Sequence, residues 1–168
     1  MINKPSIEVS IQDQLLRIKL DEEYIEYPIS TAKLGIGQKE GSNQTPIGWH
    51  QIRAKIGAEQ PINSVFIGRR PTGEIYNDKL AKEAPDRDWI LTRILWLSGC
   101  ELGRNRLGDV DSMRRYIHIH RTPDSEPMGV PESHGCIRMR NSDVIALFNL
   151  LLSLIPHLRA HETVLDLV

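Results

Sequence analysis

The chain has 168 residues, 40% of them hydrophobic and 26% charged, with a formal net charge of −1 at pH 7. That balance fits one globular domain, residues 1–168, with a sizeable core, and it lacks the basic footprint of a nucleic-acid or anionic-membrane binder. Two cysteines, Cys100 and Cys136, exclude a disulfide scaffold, and no apolar run reaches the ~18 residues that a membrane span needs.

Met1-Ile2-Asn3-Lys4-Pro5 carries neither the charged nor the apolar region of a secretory signal. Three strands are then predicted. Ile7, Val9 and Ile11, then Leu16, Ile18 and Leu20, then Ile25, Tyr27 and Ile29 alternate with polar residues, the period of half-buried strands. Pro28 has no N–H to donate, which puts the third strand at an edge or a bulge. Gly35 to Gly48 reads as a polar loop that closes on the turn Thr45-Pro46-Ile47-Gly48. A strand follows from Trp49 to Ile56, with His50 as a structural residue. From Gly57 to Asp88, scattered prolines and glycines leave one short strand at Val65-Phe66-Ile67 and an insertion able to flank a groove. Ile90 to Leu97 is an apolar run, the pattern of a buried central strand. In the loop from Gly99 to Gly108, Cys100 reads as a free structural thiol and Arg104 and Arg106 as solvated charges.

Two stretches carry chemistry. In Tyr116-Ile117-His118-Ile119-His120 the isoleucines face a core, so Tyr116, His118 and His120 point the other way. In Ser133-His134-Gly135-Cys136-Ile137-Arg138-Met139-Arg140-Asn141, Ile137 and Met139 point inward and leave His134, Cys136, Arg138 and Arg140 opposite. If those polar faces meet, they line a groove with a thiol, imidazoles and guanidiniums. A thiol of pKa ~8.5 is only a few per cent thiolate at neutral pH, and an adjacent imidazole raises that fraction. Gly135 permits a backbone conformation other residues avoid, nearby N–H groups can hold an oxyanion, and Arg138 can bind a carboxylate bidentately. The set suits acyl transfer through a thioester. Pro123, Pro127 and Pro131 stiffen the connecting loop. The same residues admit a zinc reading, because His118-x-His120 and His134-x-Cys136 offer two pairs of tetrahedral ligands.

Asn141 or Ser142 caps a predicted helix through Leu152, with Val144, Leu147, Phe148 and Leu151 on one face. Pro156 ends or kinks it, His157 and His161 complement its dipole, and Thr163 to Leu167 forms a last strand.

The run from Ser133 to Asn141 resembles the signature of the L,D-transpeptidase catalytic domain, the YkuD-type family. That signature is a histidine, a spacer, Ser/Thr-His-Gly-Cys, a hydrophobic residue, Arg and a nearby Asn. Here twelve residues separate His120 from Ser133, and Thr45-Pro46-Ile47-Gly48 matches a second family feature. One departure is His120-Arg121-Thr122, where the family pattern has His-Gly-Thr. The resemblance implies a mainly β fold, a β-sandwich with one main α-helix after the catalytic cysteine. It implies Cys136 as nucleophile, His120 as base and His134 as a residue shaping the site. Gly135, Arg138, Ser133 and Arg121 would bind substrate or the oxyanion, with no metal or organic cofactor. The implied substrates are peptidoglycan stem peptides, joined in 3-3 cross-links or shortened by release of D-alanine, with carbapenems as covalent inhibitors. Such a substrate implies a periplasmic or cell-envelope location. A non-catalytic peptidoglycan-binding domain of the same fold is a further reading.

Overall fold

Alternation of apolar and polar residues builds an opening meander of β1 (Ser6–Ser10), β2 (Leu15–Leu20) and β3 (Glu23–Ser30), paired antiparallel. Ile7, Val9, Leu16, Ile18 and Ile29 are its buried face. The computed structural model describes residues 6–154 and 164–168. Met1 to Pro5, Pro156, His157, His161 and Thr163 lie outside the described residues.

After the meander come β4 (Gly48–Ile56), the hairpin β5 (Ser64–Ile67) and β6 (Arg70–Ile75), a short helix α1 (Asp78–Glu83), and the long β7 (Ile90–Gly99). β8 (His118–Arg121), β9 (Ile137–Met139), the main helix α2 (Asn141–Leu154) and β10 (Val164–Leu167) complete the chain. The strand order is β4-β10-β1-β2-β3-β9-β8-β7, and β4 also pairs with β7, so these strands close on themselves. Closure removes open edges. The β5–β6 hairpin is an appendage on β7.

The ring encloses one core. Leu95, Leu97, Ile119, Ile137 and Met139 pack with Val144, Leu147, Phe148 and Leu151 of α2, the helical face expected from their spacing. Each such side chain contributes roughly 1.5–3 kcal/mol by leaving water. α2 is therefore held by its buried face against the strands that carry the site. Its start is fixed differently from the expected cap. The Asn141 side chain accepts a hydrogen bond from Thr92 Oγ1 at 2.8 Å, tying the helix to β7 instead of closing its own first turn.

Two sequence expectations change. β3 is an interior strand, between β2 and β9, but it pairs β9 only at Ile29 and Ser30. Pro28 therefore borders an unpaired stretch, and the edge it demands is local. The segment from Gly57 to Asp88 is also more ordered than one strand. β6 was hidden because its exposed residues include Pro71 and Gly73 and do not alternate, and α1 buries no residue. What anchors the segment is a second cluster of Val65, Trp89 and Leu91, joined by Tyr76, Leu80 and Ala84.

Strands β8 and β9 are parallel neighbours, with Ile119 beside Ile137, His120 beside Arg138 and Arg121 beside Met139. Parallel neighbours cannot be joined by a hairpin and need a crossover. Residues 122–136 make it without a helix, pinned midway by the Gly129 N–H on the Ile29 carbonyl at 2.8 Å.

Candidate active site

The turn before β9 is held by side chains that are used up in holding it. Ser133 Oγ donates to the Cys136 carbonyl at 2.6 Å and accepts from the Gly135 N–H at 3.2 Å. The Gly135 carbonyl accepts from Thr45 Oγ1 at 3.0 Å, and Thr45 Oγ1 in turn accepts from the Ala32 N–H at 2.9 Å. Gly135 sits at φ +130°, and a Cβ there would lie 3.3 Å from the Gln44 carbonyl oxygen. The glycine is thus required by both conformation and space. Thr45, read from sequence as part of a turn, proves to be a pin on the cysteine turn.

Cys136 follows, half-buried and free. Its Sγ donates to the Tyr116 carbonyl and accepts from the His118 N–H, each at 3.4 Å. Burial pushes the thiol up to about 11, while the His118 N–H pulls it the other way. Both contacts are backbone groups, so no side-chain pattern could have announced them.

The two histidines of β8 differ in how they are held. His120 is buried, and its Nδ1 lies 2.8 Å from the Arg121 carbonyl. A carbonyl only accepts, so Nδ1 carries the hydrogen and Nε2 is left as the basic nitrogen. Burial holds this imidazole below its ordinary value, against the Arg121 bond, which raises it. His118 is 4% exposed, and neither of its ring nitrogens has a partner among the described residues. It packs edge-on to Trp96, with centroids 6.2 Å apart, and burial drives it down to about 3.

The polar faces expected to meet across a groove lie side by side in one sheet instead. Ile119 and Ile137 share the core, so His118, His120, Cys136 and Arg138 share the opposite face. The register sets His120 beside Arg138, and continued one step back it sets His118 beside Cys136. Arg138 is buried and already engaged, by Asp88 Oδ1 at 3.3 Å, Glu126 Oε2 at 3.4 Å and the Glu132 carbonyl at 3.2 Å. His134 is exposed and lines a small cavity with Glu40, Arg114, Arg115 and Tyr116. Arg121 points away from this face, into a separate cavity with Asn63 and Tyr76. Arg140 is exposed. The zinc set does not assemble: among the described residues, no three His, Cys, Asp or Glu side chains are grouped to hold a metal ion.

Two residues escaped the sequence reading. Arg115 donates to the carbonyls of Gly37, Gln38 and Gln44 and to Ser42 Oγ, clamping the loop whose Gln44 carbonyl abuts Gly135. Arg69, at the tip of the β5–β6 hairpin, lies 4.4 Å from the Trp96 ring centroid and 4.6 Å from that of Tyr116. The hairpin tip thereby meets β7 and the segment leading into β8.

The family model described as the L,D-transpeptidase catalytic domain matches residues 4–156. Among solved structures, an L,D-transpeptidase from Mycobacterium smegmatis is 14% identical, with a TM-score of 0.51 over 98% of this chain and 58% of that one. A cysteine-to-serine mutant of the Enterococcus faecium L,D-transpeptidase is 15% identical, with a TM-score of 0.54 over 99% and 50%. The LD transpeptidase LdtMt1 in complex with imipenem is 16% identical, with a TM-score of 0.53 over 98% and 58%. At these identities the likeness is one of fold, and this chain spans between half and three-fifths of the neighbours' lengths. No curated protein matched the chain.

Proposed function

This chain belongs to the L,D-transpeptidase catalytic domain family, and we propose that it is a cysteine acyltransferase acting on peptidoglycan stem peptides through a thioester on Cys136. The supporting observation is that a free, half-buried thiol and an imidazole whose tautomer is fixed by the Arg121 carbonyl lie on the same face of the adjacent segments β8 and β9.

In the free protein the thiol is lifted to about 11 and His120 is lowered, so the resting pair is neutral. Deprotonation must then accompany attack. Nε2 of His120 takes the Sγ proton as sulfur adds to the carbonyl of the stem's L-centred diamino acid. The Gly135 N–H is committed to Ser133, which leaves the Cys136 N–H for the oxyanion, with His134 shaping the pocket beside it. Collapse expels D-alanine, whose amine takes the proton from His120, and leaves the thioester. The amine of a second stem then closes a 3-3 cross-link, or water releases the shortened stem. None of these steps calls on a metal or an organic cofactor. Arg138 reaches a substrate carboxylate only by exchanging Asp88 or Glu126 for it; as it stands, it braces the floor beside His120. Such a substrate implies a periplasmic or envelope setting.

The register favours one competitor for the base, His118, but nothing fixes its tautomer, and a group at about 3 is a poor acceptor at neutral pH. His120→Ala should lose about a hundredfold or more in acylation rate, within the range for a general base, and His118→Gln far less. The direct test uses imipenem, the ligand in the LdtMt1 structure. Intact-mass measurement should find one adduct on the parent and none on Cys136→Ala. An unmodified parent, or equal adducts on both, overturns the proposal.

A further inference from the structure

The crossover and the insertion together enclose a cavity of about 400 Å³ that the chemistry above does not use. Asn63, Tyr76 and Asp78 line it from the insertion, and Arg121, Asp124 and Ser125 from β8 and the crossover. Arg121 is its buried wall. Only 5% exposed, it donates from Nη1 to Asn63 Oδ1 at 2.9 Å, stands 3.7 Å from Asp124 Oδ1 through Nη2, and lies 5.6 Å from the Tyr76 centroid. Its Nε has no partner among the described residues. A buried guanidinium matched by one amide and one distant, exposed carboxylate is incompletely satisfied.

We propose that this cavity is a saccharide subsite, taking the N-acetylhexosamine of the glycan strand to which a stem peptide is attached. The assignment rests on the stem-peptide reading above and extends it. Charge rules against an anion, because one arginine faces two aspartates. What the walls offer is a mixture: guanidinium and hydroxyl donors, carboxylate acceptors, and one aromatic ring. A polyol uses both donors and acceptors, and a sugar ring has an apolar face for tyrosine. The volume lies in the range of small-ligand sites. Asn77, also on the wall, is spent on α1, accepting from the Leu80 N–H and donating to the Ile75 carbonyl, so it shapes the rim without binding.

Position supports the same ligand. Arg121 follows His120 directly and holds it through its carbonyl, so the cavity lies one residue from the base but on the other face of β8. A peptide whose scissile bond reaches Cys136 is tethered at its far end to a sugar, and that sugar must rest nearby. The family pattern has glycine where Arg121 stands, so this wall is a feature of this chain. It also gives the Gly57–Asp88 insertion a task, since four of the named walls come from it.

The test titrates the full chain with a β-1,4-linked N-acetylglucosamine tetramer and follows backbone amide shifts. Shifts concentrated at Asn63, Asn77, Arg121 and Ser125 are expected, and Ser125→Ala should weaken binding by about tenfold, the loss of one hydrogen bond. In turnover, a disaccharide-linked tetrapeptide should be favoured over the free tetrapeptide in kcat/KM, and Asp78→Asn or Ser125→Ala should shrink that ratio. Arg121→Gln should shrink it further; where it does not fold, the other two carry the test. No shifts, shifts elsewhere, or equal shifts from acetate or ethylamine overturn the saccharide assignment. A chain that binds the tetramer here but takes no imipenem adduct on Cys136 refutes the acyl-transfer reading and keeps the sugar site.

Discussion

His118 should make the fold acid-sensitive by an amount that its burial sets. The residue is 4% exposed, has no partner for either ring nitrogen among the described residues, and faces Trp96, with His120 and Arg69 as the charged neighbours that lower it further. Its pKa falls from 6.5 to about 3. The unfolded chain therefore binds a proton below 6.5 that the native protein refuses until about 3. Stability contributed by the neutral form is complete above that window and is lost as pH falls through it. At about 1.4 kcal/mol per pH unit, lowering the pH from 6.5 to about 5 costs ~2 kcal/mol through this residue alone. His118→Gln keeps a neutral donor and acceptor and removes the titration. Urea unfolding of parent and variant at about pH 7 and pH 5 isolates the effect, because His50 and His120, both also lowered by burial, remain in each. The variant should lose ~2 kcal/mol less on acidification. Equal losses in the two proteins would refute the reasoning.

The cysteine turn supports three shorter expectations. Gly135→Ala forces a side chain into φ +130° and against the Gln44 carbonyl; it should cost about 1–3 kcal/mol in thermal unfolding and slow acylation of Cys136 by about tenfold or more. Arg115→Met removes every guanidinium bond to the 37–44 loop, which should cost ~3 kcal/mol in denaturant unfolding and slow acylation without removing the nucleophile. Alkylation of Cys136 by iodoacetamide should rise with a midpoint near 11, not at the ~8.5 of a free thiol. A midpoint below 7 would show a preformed thiolate–imidazolium pair and remove the neutral resting state.

The parts legible in the sequence are those in which side chains carry their own signal. Alternation placed the meander, and i, i+3, i+4 spacing placed the buried face of α2, because period and burial are coupled. The His120, Ser133–Asn141 and Thr45–Gly48 runs were visible as words, but what Thr45 does was not, since its partner Gly135 lies ninety residues away. Long-range pins of this kind leave no local pattern. Arg115 gave no signal in the sequence because its targets, all but one of them backbone carbonyls, come together only in the fold. The sheet's closure through β4 and β7 was invisible for the same reason, and so was the exposed strand β6.

The spacing between the histidine and the cysteine is best understood as a statement of register. β8 and β9 align residues eighteen apart, as Ile119 with Ile137, so the ladder fixes which side chains are neighbours. A slip of one residue would turn Cys136 and the histidines onto opposite faces and put a thiol in the core. The crossover can vary in length without that penalty as long as the ladder holds, which is why its prolines and its pin at Gly129 matter more than its individual side chains. Register alone, however, puts His118 nearest the sulfur. In the mechanism proposed above, chemistry is what selects His120. A carbonyl at 2.8 Å fixes where its hydrogen sits, and among the described residues no group does this for His118. If His118→Gln, not His120→Ala, abolished acylation while both variants stayed folded, proximity would outrank tautomer control, and the roles of the two imidazoles would have to be exchanged.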